Sequence, residues 1–290
     1  MASMRDIKRR KGSVTSTQQI TKAMKLVSTV KLQKARGKAE DTKPYFECMY
    51  ETISQVLAKA GNISHKFLNA GESNKKAFIV ISGNKGLAGG YNANIYKLIK
   101  QSGIAKEDVL IYAVGRKGKE TLERNGYKIA KDYSEVINEP MYSDAVMIGE
   151  DLLDGFVNGK FGEIYLIYTM FKNTVSQEAV MVKLLPVQNE EHKEYVTSSD
   201  NDDDLVLMNF EPNADEALDM IVPKYINSLI YGGLVESIAS ENGARMQAMD
   251  NATNNAQTMI DDLSLKYNRA RQASITQELT EIVAGASAIS

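Results

Sequence analysis

The spacing of hydrophobic and polar positions changes character twice along the chain. From about residue 3 to residue 60 the residues are strong helix formers, with no run of the alternation that favours strands. Ile20, Ala23, Val27 and Val30 recur at spacings of three, four and three, the period of a coiled-coil seam. Gly37 and Pro44 interrupt this stretch and predict a bend or a local weakening near Pro44. Chain breaks are expected at Gly61-Asn62 and again around Asn69 to Asn74.

The middle of the chain carries shorter apolar runs. Lys76 to Ser82 enters a glycine-rich turn, a helical stretch follows from Asn92 to Gln101, and Val109 to Gly115 repeats the first design. Two strands joined through a helix predict a parallel βαβ unit. Helices are expected at Arg116 to Asn125 and Ser143 to Asn158, and strands at Glu163 to Phe171, Glu178 to Val187 and Leu205 to Phe210. The acidic run Asp200 to Asp204 reads as a solvated loop.

From Asn213 the helical character returns. Beyond Pro223 no proline occurs, so a helix can run for roughly 65 to 75 residues, on the order of 100 Å at about 1.5 Å per residue. Ala252, Ala256, Met259, Leu263, Tyr267 and Ala270 keep the alternation of fours and threes. A helix of that length outruns a domain of this size and needs a mate, and the N-terminal helix has the matching period. The expectation is an α/β fold plus a long antiparallel coiled coil. The N- and C-terminal helices pair as a shaft, with a central Rossmann-like α/β domain at its base. The boundaries are 1–60 and 211–290 for the coiled-coil helices and 75–210 for the central domain.

Charge sharpens that pairing. Through residue 43 there are twelve basic side chains against three acidic, a net +9, whereas from Glu211 to the end five basic oppose eleven acidic, a net −6. Opposite signs favour association of the two ends, although exposed pairs are individually weak. The net charge of the whole chain is only −2, which gives no general reason for nucleic acid or an anionic membrane as partner. Aromatic residues for base stacking are missing before Tyr45. No apolar stretch is long enough to span a bilayer, and the first residues lack the core of a signal peptide, so membrane association is expected only through partners.

Candidate chemistry is sparse. Cys48 is the single cysteine, which suits a reducing compartment, and His65 and His192 are the only histidines, so no zinc or haem spacing forms. Ser82-Gly-Asn-Lys-Gly-Leu-Ala-Gly-Gly-Tyr-Asn92 follows a strand and opens a helix, a context in which backbone N–H groups often cradle phosphate. A phosphate loop of the Walker type needs Lys and Ser or Thr after its last glycine, whereas Gly89 is followed by Gly90 and Tyr91. The loop therefore reads as a structural turn, and no catalytic constellation, cofactor or metal is expected. On the residues alone an NTP-binding enzyme and a basic-helix nucleic-acid adaptor stay open as alternatives.

Four segments, in order, resemble the gamma subunit family of the F-type rotary ATP synthase, bacterial type. They are Ile20-Thr-Lys-Ala-Met-Lys-Leu-Val-Ser28, Gly86-Leu-Ala-Gly-Gly-Tyr-Asn92, Ser240-Glu-Asn-Gly-Ala-Arg-Met-Gln-Ala-Met249 and Tyr267 to Val283. Within the last, Ile275-Thr-x-Glu-x-x-Glu-x-x-x-Gly-Ala286 matches the family's signature. Ala88 stands where the family often has Cys, and the cysteine-bearing insert of chloroplast members is absent.

The resemblance implies a non-catalytic shaft coupling ion-driven rotation of the membrane c-ring to conformational cycling of the catalytic alpha/beta ring. Its implied partners are the alpha, beta and epsilon subunits and the c-ring, at the cytoplasmic face of the bacterial plasma membrane. By the same resemblance Met24, Lys25, Arg245, Gln272, Thr276 and Glu278 face the alpha/beta ring, and Phe210 and Glu211 lie by the c-ring and epsilon.

Overall fold

The computed structural model describes residues 3–60, 65–187 and 214–289. The expected strand at Leu205 to Phe210, the acidic run, His192, and the c-ring residues Phe210 and Glu211 lie outside the described residues. In chain order the elements are α1 (Met4–Ala60), β1 (Lys76–Ile81), α2 (Tyr91–Gln101), β2 (Val109–Val114), α3 (Arg116–Arg124), β3 (Lys128–Asp132), α4 (Tyr142–Val157), β4 (Glu163–Phe171), β5 (Gln177–Leu185) and α5 (Ala214–Ile289). The chain divides into two compact units, residues 1–28 with 245–290 and residues 29–244, and each is described by itself.

In the larger unit the sheet order is β3-β2-β1-β4-β5, with β5 alone antiparallel to its neighbour. Strands β1, β2 and β4 are apolar almost throughout because both faces are covered. The two-residue period of β1 sends Ile79 and Ile81 to a core shared with Ile53 and Val56 of α1, Ile148 and Leu152 of α4, and Leu218 to Leu234 of α5. Phe78 and Val80 point the other way, onto Ile95 and Ile99 of α2 and Leu122 of α3.

The parallel βαβ unit predicted from residues 76 to 115 is present, with Lys76 opposite Val109 through Ile81 opposite Val114. Strand β3 was not anticipated. It is a short, exposed edge strand, Lys-Ile-Ala-Lys-Asp, whose lysines and aspartate belong to a guarded sheet edge rather than to an apolar run.

Both long helices contain a proline: α1 is helical without interruption through Gly37 and Pro44, and α5 continues through Pro223. A proline removes one intrahelical donor, but the packing of Ile53 and Val56, or of Val222, Tyr225 and Ile226, into the core supplies the stability that propensity does not.

One ion cluster ties the near ends of three strands. Glu163 on β4 meets Lys76 of β1 at 2.6 Å and Lys183 of β5 at 2.8 Å, and accepts a hydrogen bond from the Tyr165 hydroxyl at 3.1 Å. Burial pushes this carboxyl up, but the hydrogen bonds from Lys183 and Lys76 outweigh burial and hold it at about 2. A depressed carboxyl stabilises the fold above its unfolded value and ceases to do so as pH falls through its folded value. Glu163→Gln is therefore expected to lose about 1–2 kcal/mol at pH 7, after discounting for nearby solvent, and almost nothing at pH 2. Urea unfolding at the two pH values measures the difference.

On the far side of the sheet Glu236 of α5 is mostly buried. Burial drives its carboxyl up to about 7 against the opposing effect of the Phe171 backbone N–H, and its Oε2 has no hydrogen-bond partner. It borders a small cavity of about 40 Å³ whose other walls include Leu166, Tyr168, Val182 and Leu229.

Candidate functional site: the paired terminal helices

In the smaller unit the first turns of α1 lie against the middle of α5. Gln18 Nε2 donates to Gln257 Oε1 at 2.7 Å, the Thr21 and Thr253 hydroxyls meet at 2.8 Å, and Lys25 Nζ reaches Asp250 Oδ1 at 2.6 Å. Partners rise along one helix as they fall along the other, so the pairing is antiparallel. On the α1 side the seam is polar and small. Thr21 and Ser28 are buried on α1, and Met249, Ala256 and Leu263 on α5, with Val14, Gln18 and Lys25 half-buried between them.

Positions 14, 18, 21, 25 and 28 follow the heptad alternation of fours and threes, as expected, but the predicted residues were the wrong set. Ile20 and Val27 are 61% and 58% exposed, and Ala23 is exposed as well. Val30, treated within the larger unit, is exposed there too. The physical reason is that hydroxyl side chains bond to their own helix, as Thr21 Oγ1 does to the Gln18 carbonyl and Thr253 Oγ1 to the Met249 carbonyl, and so bury cheaply in a close seam. On α5 the expected Ala252, Ala256, Leu263, Tyr267 and Ala270 are buried or half-buried, whereas Met259 is exposed and Ile260 takes its place.

The displaced apolar residues face outward. Ile20, Leu26 and Val27 are exposed on α1. Ile275, Leu279, Ile282 and Val283 are exposed on α5 at spacings that gather them on one side of the helix. At the pairing register Met4 comes opposite about residue 271, and from Ile275 to Ser287 every residue of α5 is exposed. That exposed stretch of helix is roughly 20 Å long at about 1.5 Å per residue. Contiguous exposed apolar residues mark an interaction surface.

Six of the expected contact residues fall in this unit. Met24, Lys25 and Arg245 are half-buried, Lys25 being held by Asp250, while Gln272, Thr276 and Glu278 are exposed. Gln272 and Thr276, four residues apart, share a face, and Glu278 points elsewhere. Sequence reasoning missed Asp250 as the partner of Lys25 and missed the stripe from Ile275 to Val283, although the spacing of four, three and one among its apolar residues was there to be read.

The glycine loop of the larger unit is occupied by its own chain. The Gly83 N–H donates to Asn92 Oδ1 at 3.0 Å, the Gly83 carbonyl accepts from the Lys117 N–H at 3.0 Å, and Asn84 bonds to Ser134, Asn138 and the Arg116 N–H. Glu241 of α5 presses against Gly83 so closely that an added Cβ there would lie 2.6 Å from its Oε1. A carboxylate at that point opposes a phosphate. Of the histidines, His65 accepts the Phe67 N–H at Nδ1 and meets Asp219 at 3.2 Å through Nε2, a fold contact rather than a catalytic one. Among the described residues no group of His, Cys, Asp or Glu could hold a metal ion, and no helix is long and apolar enough to cross a membrane.

A predominantly parallel α/β sheet unit whose chain begins and ends in helices of 57 and 76 residues, paired antiparallel, is the architecture of a stalk protein. The model of the ATP synthase family matches residues 3–289. The chain belongs to the ATP synthase gamma chain family, the gamma subunit and central stalk of the F-type enzyme. It is 68% identical over 290 residues to the ATP synthase gamma chain of Lachnoclostridium phytofermentans, covering 100% of both chains. It is 42% identical to the sodium ion specific ATP synthase gamma chain of Acetobacterium woodii, covering 99% of this chain and 98% of that one. Among solved structures, a chain of the Tetrahymena thermophila mitochondrial ATP synthase central stalk and c-ring matches with TM-score 0.57 and 25% identity, over 80% of this chain and 99% of that chain. A chain of the Euglena gracilis mitochondrial ATP synthase shares the fold, with TM-score 0.67 at 17% identity over 99% and 94% of the two chains.

Proposed function

We propose that the chain turns inside a ring of alpha and beta subunits, driven at its other end by a c-ring and accompanied by epsilon, and that it carries no nucleotide chemistry of its own. The three-part organisation then acquires roles: residues 1–60 and 211–290 form the shaft, and residues 75–210 form the domain at its base. Met24, Lys25, Arg245, Gln272, Thr276 and Glu278 meet the alpha/beta ring, whereas Phe210 and Glu211 meet the c-ring and epsilon. The complex sits at the cytoplasmic face of the bacterial plasma membrane, held there through its partners.

The observation that carries this reading is the outward-facing apolar set on the paired helices. A permanent coiled coil would bury Ile20 and Val27 in its own seam. On the α1 side this one is sealed by Thr21 and Ser28, packed toward Met249, Ala256 and Leu263 of α5, and the larger α1 side chains Ile20 and Val27 are left for neighbours. An asymmetric shaft of this kind presents a different face to each surrounding site, so turning it exchanges the sites' affinities through differential contacts.

Two measurements test the proposal. Mixing the chain with alpha and beta subunits should yield an ATPase, with no hydrolysis by the chain alone; failure to co-assemble removes the reading. The double substitution Ile20→Ser and Val27→Ser should change the stability of the isolated chain by no more than about 0.5 kcal/mol, because both sites are exposed. The same pair should weaken assembly with alpha and beta at least tenfold, as read by subunit titration.

A further inference from the structure

Charge in the larger unit is sorted by segment. From Lys76 to Asp132 eleven basic side chains stand against five acidic, a net +6, whereas from Tyr133 to Gly159 there are six acidic side chains and no basic one. Helix α4 makes up most of the acidic segment. None of the contacts proposed for the ring, the c-ring or epsilon uses it.

At about 3.6 residues per turn, Ser143, Met147, Glu150, Asp154 and Val157 fall on one stripe of α4, and all five are exposed. The opposite face, with Ala145, Ile148 and Leu152, is fully buried in the core. Met147 is 44% and Val157 55% exposed, and the half-buried Val146 lies beside the stripe. Neighbouring acids are already used by the fold: Asp144 accepts the Met141 N–H at 2.8 Å, Glu139 meets Lys34 at 3.4 Å, and Asp151 is bonded by Lys131 and Tyr133. Among the described residues Glu150 and Asp154 form no ion pair. Two carboxylates thus share an outward stripe with two apolar side chains that the core does not use.

We infer that this face of α4 docks a basic amphipathic helix of a partner protein, with Lys or Arg side chains on Glu150 and Asp154 and an apolar stripe on Met147 and Val157. Charge complementarity fixes the sign of the partner, and the same charge turns away nucleic acid and anionic lipid. Its form follows from the spacing. A stripe advancing by fours and threes over roughly 21 Å offers ridges and grooves that a second helix fills. Methionine, unbranched and flexible, adapts to the side chains set against it.

The test uses the full chain and, as probe, a fluorescent Leu/Lys peptide of about four turns with leucine at the helical period. Anisotropy titration should show saturable binding. The double substitution Glu150→Lys and Asp154→Lys should weaken it by about tenfold or more, and Met147→Ser with Val157→Ser by about fivefold, with circular dichroism unchanged because all four positions are exposed. Asp261→Lys with Asp262→Lys, an equal reversal of charge at exposed positions of α5, should leave the affinity as it was. Absence of saturation, unaltered binding by either α4 variant, or equal losses from the α4 and α5 reversals overturns the inference.

Discussion

Glu236→Gln should stabilise the isolated chain by about 2–3 kcal/mol at pH 8 and change it little at pH 5. The glutamine reproduces the protonated carboxyl that the buried site selects. In the folded chain Glu236 holds its proton up to about 7, against an ordinary carboxyl value of 4.5. Between those values the folded state binds more protons than the unfolded one, so stability declines as pH rises through the window and stays lowered above it. Below the window both states are protonated, and the substitution has nothing left to relieve. Glu163 acts with the opposite sign at lower pH, since its contribution disappears as pH falls toward about 2. These two groups together place greatest stability near pH 5. Thermal melts at pH 5 and pH 8 measure the effect, and equal shifts at both would show that Glu236 does not carry a proton in the fold.

Gly115→Ala should be far more damaging, costing more than about 4 kcal/mol and leaving little soluble protein. Gly115 has φ of +110, where side chains are strained, and an added Cβ would lie 2.0 Å from the Ser82 carbonyl oxygen and 2.7 Å from Ser82 Oγ. Ser82 Oγ also accepts the Gly118 N–H at 2.9 Å, so the serine that follows β1 holds the start of α3, and neither can move without the other. A control is available in Gly232→Ala, where the Cβ meets nothing within 4 Å and a helix interior gains up to about 1 kcal/mol from losing a glycine. Soluble yield and chemical unfolding of the two variants separate loss of space from loss of helix-breaking freedom.

Much of this architecture is visible in the residues themselves. Apolar runs of six to nine residues between turn signals mark β1, β2 and β4, because strands covered on both faces have no polar side to show. Strand β3 escapes the same test because an edge strand has one ladder and little core, so Lys128, Lys131 and Asp132 obscure it. The helices at both ends and their antiparallel mating follow from length and period. The seam residues do not. Ranking positions by hydrophobicity selects Ile20 and Val27, and the helices close instead on Thr21 and Ser28, one position along. That error is informative, since a stalk that shows its larger apolar side chains to neighbours will defeat any reading that assumes they are kept for itself. The contacts Lys25 to Asp250 and Glu241 to Gly83 join residues more than 150 positions apart, and no local pattern announces them.

Rotation itself is the most direct measure. Cys48 is the chain's one cysteine and is exposed on α1, so a bead or fluorophore can be attached there without further substitution. With the chain assembled into an immobilised ring of alpha and beta subunits, addition of ATP should drive the Cys48 label around in one direction, pausing at discrete angles set by the ring. A complex that hydrolyses ATP at full rate while the label stays at a fixed angle would contradict the account.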